Sequence, residues 1–502
     1  MHEMRNYQIE AVAGLRRSLA AGNKKPILQL ATGSGKTRIA AEICKGANTK
    51  GKKVLFLAPR RELIHQAVKA FQGQGLHAGM IMAGERQSLL LDLQVASFDT
   101  LHARAIRSER MTLPPADLVI VDEAHLSTAR TRLDILEAYD EAIVIGLTAT
   151  PARGDGKGMG TFYDDIVTGP TISELVDAGY LVPLRYYAPT EPDLSKLKLD
   201  KDGDYQEKAL GARMDTPQLI GDIVENWLRL ARDRRTVVFC VTCDHSRHTA
   251  EAFREAGITA EHLDGETPKP ERAGILARVA SGETQVLCNV FVASYGLDIP
   301  ALDCAVLARP TKNIALYLQT VGRIMRTFPG KVDGLVIDHA GAVKENGFAD
   351  DYVPWSLDDS KSVKDEKERI LKEKSDPKPA TCPQCATAFK GQRVCPSCGF
   401  EVVPAGKPIP VHQADLQEVQ REAKKENRDS TWDEKARFHA ELAGYAMSKG
   451  KLPGWVAHKY RAKYGVWPND PRAKSMGRMQ PSPETLSWIV SQNIRWAKSK
   501  QA

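Results

Sequence analysis

No stretch of the 502 residues approaches the ~18 consecutive apolar residues that a membrane-spanning helix needs. The opening MHEMRNYQ lacks the apolar core of a secretory signal, so the expected location is the cytoplasm, with no membrane partner. Cysteine is sparse, nine in all, and in a reducing compartment such thiols serve as buried side chains or metal ligands rather than disulfides. No internal sequence repeat is present, so nothing suggests a repeat array. Strong net charge is also missing, since the total is only +7. That mildness hides an asymmetry: residues 431–502 carry +8, and everything before them sums to −1. A basic tail on a neutral body is a pattern that nucleic-acid binders show.

What remains is ordinary for a globular chain, with 42% hydrophobic and 26% charged residues and length for about three domains. Short runs rich in Val, Ile and Leu recur through the first 340 residues: PILQLA (26–31), VLFLAP (54–59), LQVASF (93–98), DLVIVD (117–122) and AIVIGL (142–147). A second set follows residues 170–230: TVVFCV (236–241), TQVLCNV (284–290), CAVLARP (304–310) and GLVIDH (334–339). Strands apolar throughout and alternating with amphipathic helices imply parallel sheets covered on both faces. The expected class is α/β, with two tandem parallel-sheet domains at 1–170 and 171–345. Residues 346–378 are charge-dense and read as a solvated helix or linker, 379–402 as a cysteine module, 403–430 as a second linker, and 431–502 as a small basic helical domain.

ATGSGKT (31–37) follows one predicted strand and opens a predicted helix. Gly33, Ser34 and Gly35 let backbone N–H groups turn toward an anion, and the helix N-terminus adds partial positive charge. Lys36 would reach the β and γ phosphates of ATP, and the Thr37 hydroxyl would ligate Mg²⁺. VDEAH (121–125) ends another apolar run. Asp122 can hold the Mg²⁺, and Glu123 is suited to polarise an attacking water.

These segments, with APRRELIHQ (58–66), LTATP (147–151) and QTVGRIMR (319–326), resemble the ordered motifs of superfamily 2 helicases over roughly residues 1–345. The opening MRNYQIEAV is similar to the adenine-recognition segment of the branch holding DNA-repair helicases and type III restriction helicase subunits. The resemblance implies two RecA-like lobes with ATP between them. It implies that Arg323 and Arg326 reach across from the second lobe as arginine fingers, with Gln319 near the γ-phosphate. It further implies that Gln8, helped by Arg5 or Tyr7, reads adenine, that Thr148 and Thr150 couple hydrolysis to strand contacts, and that Arg60 and Thr100 grip a strand's phosphates. Asp298, in VASYGLDIP (292–300), resembles a residue contacting nucleotide and strand. Tyr295 stands there where relatives often carry glutamate. YLQTVGRIMR (317–326) suits one helix, with Gln319, Arg323 and Arg326 near a common face.

Cys382, Cys385, Cys395 and Cys398 form two Cys-x2-Cys knuckles able to close tetrahedrally around a structural Zn²⁺. In GWVAHKYRAKYGVWP (454–468), Trp455, Tyr460, Tyr464 and Trp467 interleave with Lys459, Arg461 and Lys463. Such a pattern can stack bases and neutralise phosphates, or form the core of a small helical domain with solvated lysines, and both can hold at once. The resulting expectation is an ATP-dependent helicase or translocase acting on nucleic acid, DNA by branch resemblance. It carries no nuclease constellation of its own and would cut DNA only with a nuclease partner; a replication or repair protein is another expected partner. An RNA helicase, or a DNA-binding recruitment protein with a vestigial ATPase, are the alternatives.

Overall fold

The computed structural model describes residues 4–401 and 431–499, apart from 86, 87, 89, 189–191, 196, 201, 202, 291–297, 361, 375–378, 452, 465–467 and 469. Tyr295 and Trp467 lie outside the described residues. The chain divides into two compact units, Met1–Ala405 and Gly406–Ala502. Among the described residues, no helix is long and apolar enough to cross a membrane.

The first unit holds two parallel sheets. Strands β1 (Pro26–Gln29), β2 (Val54–Ala58), β3 (Gly79–Ile81), β4 (Leu93–Ser97), β5 (Leu118–Asp122), β6 (Ile143–Thr148) and β7 (Asp165–Thr168) pair in the order β3-β4-β2-β5-β6-β1-β7. Strands β8 (Leu184–Tyr187), β9 (Thr236–Phe239), β10 (Ala260–Leu263), β11 (Val286–Asn289), β12 (Cys304–Leu307) and β13 (Gly334–Asp338) pair as β10-β11-β9-β12-β13-β8. Each of the nine apolar runs forms a strand. The central ones are buried at every position, as in β2, β5 and β9, because helices cover both faces.

Parallel open sheets gather functional groups at the carboxyl ends of their strands. Here β5, β6 and β1 are neighbours, with Asp122 opposite Leu147 and Gln29 opposite Thr148. The register thus brings the ends of three motif-bearing strands together although they lie far apart in the chain.

The charged stretch after the second sheet differs from its solvated expectation. It runs back across the first lobe as a strap. Gly158 and Gly160 donate backbone hydrogen bonds to the Asp358 and Leu357 carbonyls, at 3.0 and 2.8 Å, and Val363 donates to Gly156 at 2.9 Å. A Cβ on Gly158 would lie 2.4 Å from the strap backbone, so glycine is required for this approach. The helix Val363–Lys374 then docks through buried Val363 and through Lys367, whose ammonium donates to the Asn346 carbonyl at 2.7 Å. High charge density misled here because the segment is held by backbone pairing and a few buried anchors rather than by an apolar stripe.

A two-stranded ribbon, β14 (Ala380–Thr381) and β15 (Ala388–Phe389), lies against the edge of the second sheet. Ala188 donates to the Ala386 carbonyl at 2.9 Å, and Tyr187 bridges to Thr387. The ribbon therefore covers part of an edge strand that would otherwise present unpaired backbone groups. Lys390 fastens it further, 2.6 Å from the half-buried Asp351 carboxylate in the strap.

The second unit contains the helices Trp432–Ser448, Pro453–Tyr464 and Pro483–Ser499. Thr431 and Glu434 cap the first of these reciprocally. Phe438, Leu442, Val456, Tyr460 and Ile489 form its core, with Trp455, Tyr464 and Trp488 packed against them. Of the two readings of this aromatic stretch, the core reading holds for Trp455, Tyr460 and Tyr464. Tyr460 is 1% exposed, and Trp455 stacks on Tyr445 at 5.5 Å rather than standing free.

Candidate functional site

The loop after β1 turns through Gly33 and Gly35, both at φ +85°, before the helix Lys36–Asn48 begins. This left-handed backbone is open to glycine at little cost, and it directs successive N–H groups into the mouth of the helix. Gly35 meets a second constraint, since a Cβ there would come within 2.7 Å of Gln8 Nε2. The N-terminal segment thus sits on the loop. Tyr7 Oη and Gln8 Nε2 both donate to the Ser34 carbonyl, at 2.7 and 3.0 Å, and Gln8 Oε1 accepts from the Arg5 backbone at 3.0 Å. Ser34 is itself buried and donates to the Ala31 carbonyl at 2.7 Å.

Sequence reasoning missed Tyr180, which joins this group. Its ring lies 5.2 Å from Tyr7 in an edge-on contact, and the Arg5 guanidinium sits 4.6 Å above it. A flat aromatic surface, a cation and an amide therefore gather beside the glycine-rich turn. The following residue, Leu181, bridges to Arg326. Only folding reveals this, because Tyr180 lies on the connection between the sheets, outside every motif.

Burial pushes the Lys36 ammonium below its usual range, while Glu123 and then Asp122 pull the other way. Arg323 and Arg326, from the other lobe, act on the same ammonium in the depressing direction. Asp122 rises to about 7 through burial and the neighbouring Glu123, with Lys36 opposing. Glu123 is one of three described non-glycine residues at positive φ, with φ 50° and ψ 51°. That conformation costs on the order of 1–3 kcal/mol and is held where the surroundings dictate it. Its Oε2 is buried without a hydrogen-bond partner among the described residues, with His125 Nδ1 at 3.5 Å.

A buried polar chain crosses the cleft. Gln319, 3% exposed, donates from Nε2 to Thr150 Oγ1 at 2.9 Å and lies 3.3 Å from His125 Nε2. An amide nitrogen can only donate, so His125 Nε2 accepts and its proton resides on Nδ1. Nδ1 then donates to Thr148 Oγ1 at 3.0 Å. Burial holds His125 below its ordinary pKa, consistent with this neutral tautomer. Thr148 also accepts from the Thr150 backbone at 3.1 Å. Gln319 Oε1 remains buried without a partner among the described residues. His125 is the second residue that sequence reasoning passed over, although it stands within DEAH.

The helix expected through residues 317–326 ends earlier. It spans Ile314–Val321 and passes into a tight 3₁₀ turn at Gly322–Ile324. The reason is close packing across the cleft: a Cβ on Gly322 would stand 2.8 Å from Thr32 Cβ. The helix also has little solvated surface, with Ile314, Ala315 and Tyr317–Val321 all buried. Arg323 is 7% exposed. Arg326 packs its stem by Gly33 and pairs with Asp298, so the aspartate meets the finger candidate directly.

The two residues expected to grip a strand differ from each other. Arg60 is half-buried at the start of the helix Arg61–Gln72 and adds to the positive field at Arg132. Thr100 is buried rather than displayed on the surface. Its hydroxyl accepts from the Ala83 backbone at 3.2 Å, because Ser97 caps a short helix that turns Thr100 inward.

This cradle suits a triphosphate with magnesium. Two glycines open the turn, Lys36 and two arginines supply cations, and Asp122 and half-buried Thr37 offer hard oxygen donors. In the ribbon, the four cysteine sulfurs lie within 4.8 Å of one another. Cys382–Cys398 and Cys385–Cys395 are each 3.6 Å apart, far beyond a disulfide bond and close to the edge of about 3.8 Å for a zinc tetrahedron with 2.3 Å bonds. Ala386 and Gly399, each following the second cysteine of a knuckle, take positive φ of 60° and 74°, giving matching turns.

Two family descriptions match the chain: type III restriction enzyme, res subunit, over residues 1–153, and helicase conserved C-terminal domain, over 218–328. A 51.5 kDa protein of Lactococcus phage (isolate 7-9) is 30% identical over 378 residues, 75% of this chain and 78% of its own length. A protein of Saccharomyces cerevisiae, named for an ATP-dependent helicase, IRC3, is 30% identical over 68% of this chain, which spans 52% of that protein. Among solved structures, a fragment assigned as the HsdR subunit of a type I restriction enzyme from Vibrio vulnificus YJ016 aligns with TM-score 0.55 and 25% identity, over 69% of this chain and 66% of its own.

Proposed function

The chain belongs to the superfamily 2 helicases, and from that premise we propose that it spends ATP to move along, or separate, the strands of DNA. The observation that carries this reading is the buried chain Gln319–Thr150 and Gln319–His125–Thr148, which joins the second lobe to the first beside Glu123. A change at the γ-phosphate that displaces Gln319 would be felt at once by both lobes. Closure and hydrolysis are then one event, and each cycle alters lobe separation.

In this reading Lys36 and the loop N–H groups hold the phosphates, and Gln8, Arg5, Tyr7 and Tyr180 enclose the base. Asp122 and Thr37 would hold Mg²⁺, which supplies positive charge to the phosphate oxygens when bound. Glu123 accepts the proton of the attacking water. Arg323 and Arg326 meet the negative charge that builds on the γ-phosphoryl oxygens. Asp298 holds Arg326 until that charge competes for it. Arg60, beside Arg132, is the phosphate-backbone contact, and the tracking is indifferent to sequence. Strand cleavage would fall to a separate nuclease subunit.

The test is phosphate release with single-stranded DNA, forked, blunt, 5′-tailed and 3′-tailed duplexes, and RNA. Turnover should rise most with DNA, and ATP should be needed for strand separation. Equal or greater stimulation by RNA would overturn the DNA assignment. Absence of stimulation by either would leave the zinc ribbon and tail as the working parts.

The four-cysteine ribbon is proposed to carry one structural zinc, since four thiolates leave no open position for chemistry. Metal analysis should find one zinc per chain. Chelation should then release the ribbon from the second lobe and expose the edge at Tyr187 to hydrogen exchange. Full protection of that edge in metal-free protein would argue against the zinc.

A further inference from the structure

The second unit has a concave site that none of the helicase motifs uses. Its floor includes Ala443, Val456 and Met447, the last 68% exposed, and the recess encloses about 500 Å³. Lys451, Lys474 and Arg478 stand at its lining, all exposed. Among the described residues, no acidic side chain lines it. The nearby acids are engaged elsewhere: Asp470 with Arg472 at 2.8 Å, and Glu441 with Ser482 at 2.8 Å and Arg437 at 3.2 Å. Among the described residues, none of the three lining cations has a carboxylate within ion-pair distance.

An apolar floor ringed by cations that no carboxylate neutralises, one of them, Arg478, donating to the Met447 sulfur at 3.1 Å, has the chemistry of one ligand class. We infer that this groove binds single-stranded nucleic acid, seating an unstacked base on Met447 and Val456 and its phosphates on Lys451, Lys474 and Arg478. The recess has the volume of a small-ligand pocket, which admits a splayed nucleotide and excludes an intact duplex. The charge matches as well, since residues 431–502 hold the chain's excess of +8. The inference rests on reading the first unit as a nucleic-acid motor, whose product is a single strand. It differs from base stacking on the aromatic residues of the 454–468 stretch, because Trp455, Tyr460 and Tyr464 are taken up by the core.

The full-length protein is tested with fluorescent dT20. Lys474→Glu with Arg478→Glu should weaken binding about 10-fold and flatten the salt dependence of log K by about 1.4, as loss of two phosphate contacts requires. Lys449→Glu with Arg461→Glu, the same charge change outside the groove, should move affinity less than about 2-fold. In the unsubstituted protein, dT20 should shield Lys451 and Lys474 from acetylation while leaving Lys449 reactive. Equal weakening by the two pairs, absence of shielding, or tighter binding of an oligoglutamate peptide than of dT20 would each overturn the groove. If wild-type ATP turnover still responds to DNA in those cases, the motor reading stands; if it does not, both fall.

Discussion

Arg326→Ala is expected to retain ATP binding yet lose about 10³-fold in turnover, or about 4 kcal/mol of transition-state stabilisation. Phosphoryl transfer develops its charge on the γ-phosphoryl oxygens, so a cation placed there lowers the barrier without adding to ground-state affinity. The geometry supports this role: the Arg326 stem lies over Gly33, in the turn that leads into Lys36. The same stem has packing to lose. Arg326→Lys therefore belongs beside the alanine variant, since it keeps the charge and most of the stem but lacks the planar fork. Both should fall steeply in turnover while nucleotide affinity and thermal unfolding remain close to wild type. Turnover within about threefold of wild type in Arg326→Ala would end the finger assignment.

Glu123→Gln should bind ATP and stall, with turnover down about 10²- to 10⁴-fold, the usual contribution of a positioned base. Glutamine preserves the shape and the left-handed backbone that this position adopts, so the loss reports on proton acceptance rather than on refolding of the turn. Single-turnover phosphate release together with nucleotide affinity separates the two steps. Brisk turnover would reject Glu123 as the base. The hydrogen-bond chain from His125 to Thr148 and Gln319 should survive in the variant, and nucleic-acid affinity measured with ATP present should be at least that of wild type.

The four strands of the two large sheets that left no clear sequence signal share a position. β3 and β7 are the edges of the first sheet, and β8 and β10 are the edges of the second. An edge strand is covered on fewer sides, so sequences such as DIVT and AEHL need not be apolar throughout. Central strands have no such freedom, and all nine central strands were legible. The strap was illegible for a related reason: backbone pairing at Gly158 and Gly160 leaves no side-chain period to read.

Groups confined to a few consecutive residues were legible in the sequence alone. ATGSGKT, DEAH and each single Cys-x2-Cys knuckle present their side chains within a few positions, where local geometry leaves little choice. Tertiary structure decided everything that depends on residues far apart in the chain. It set Tyr180 beside Arg5 and Tyr7, carried Gln319 to Thr150 and His125, ended a helix early so that Gly322 could meet Thr32, and packed Trp455, Tyr460 and Tyr464 onto the tail's core. Local spacing fixes which groups an element presents. Only the packing of one element on another, driven by burial and by the need to partner every buried polar group, fixes what those groups meet.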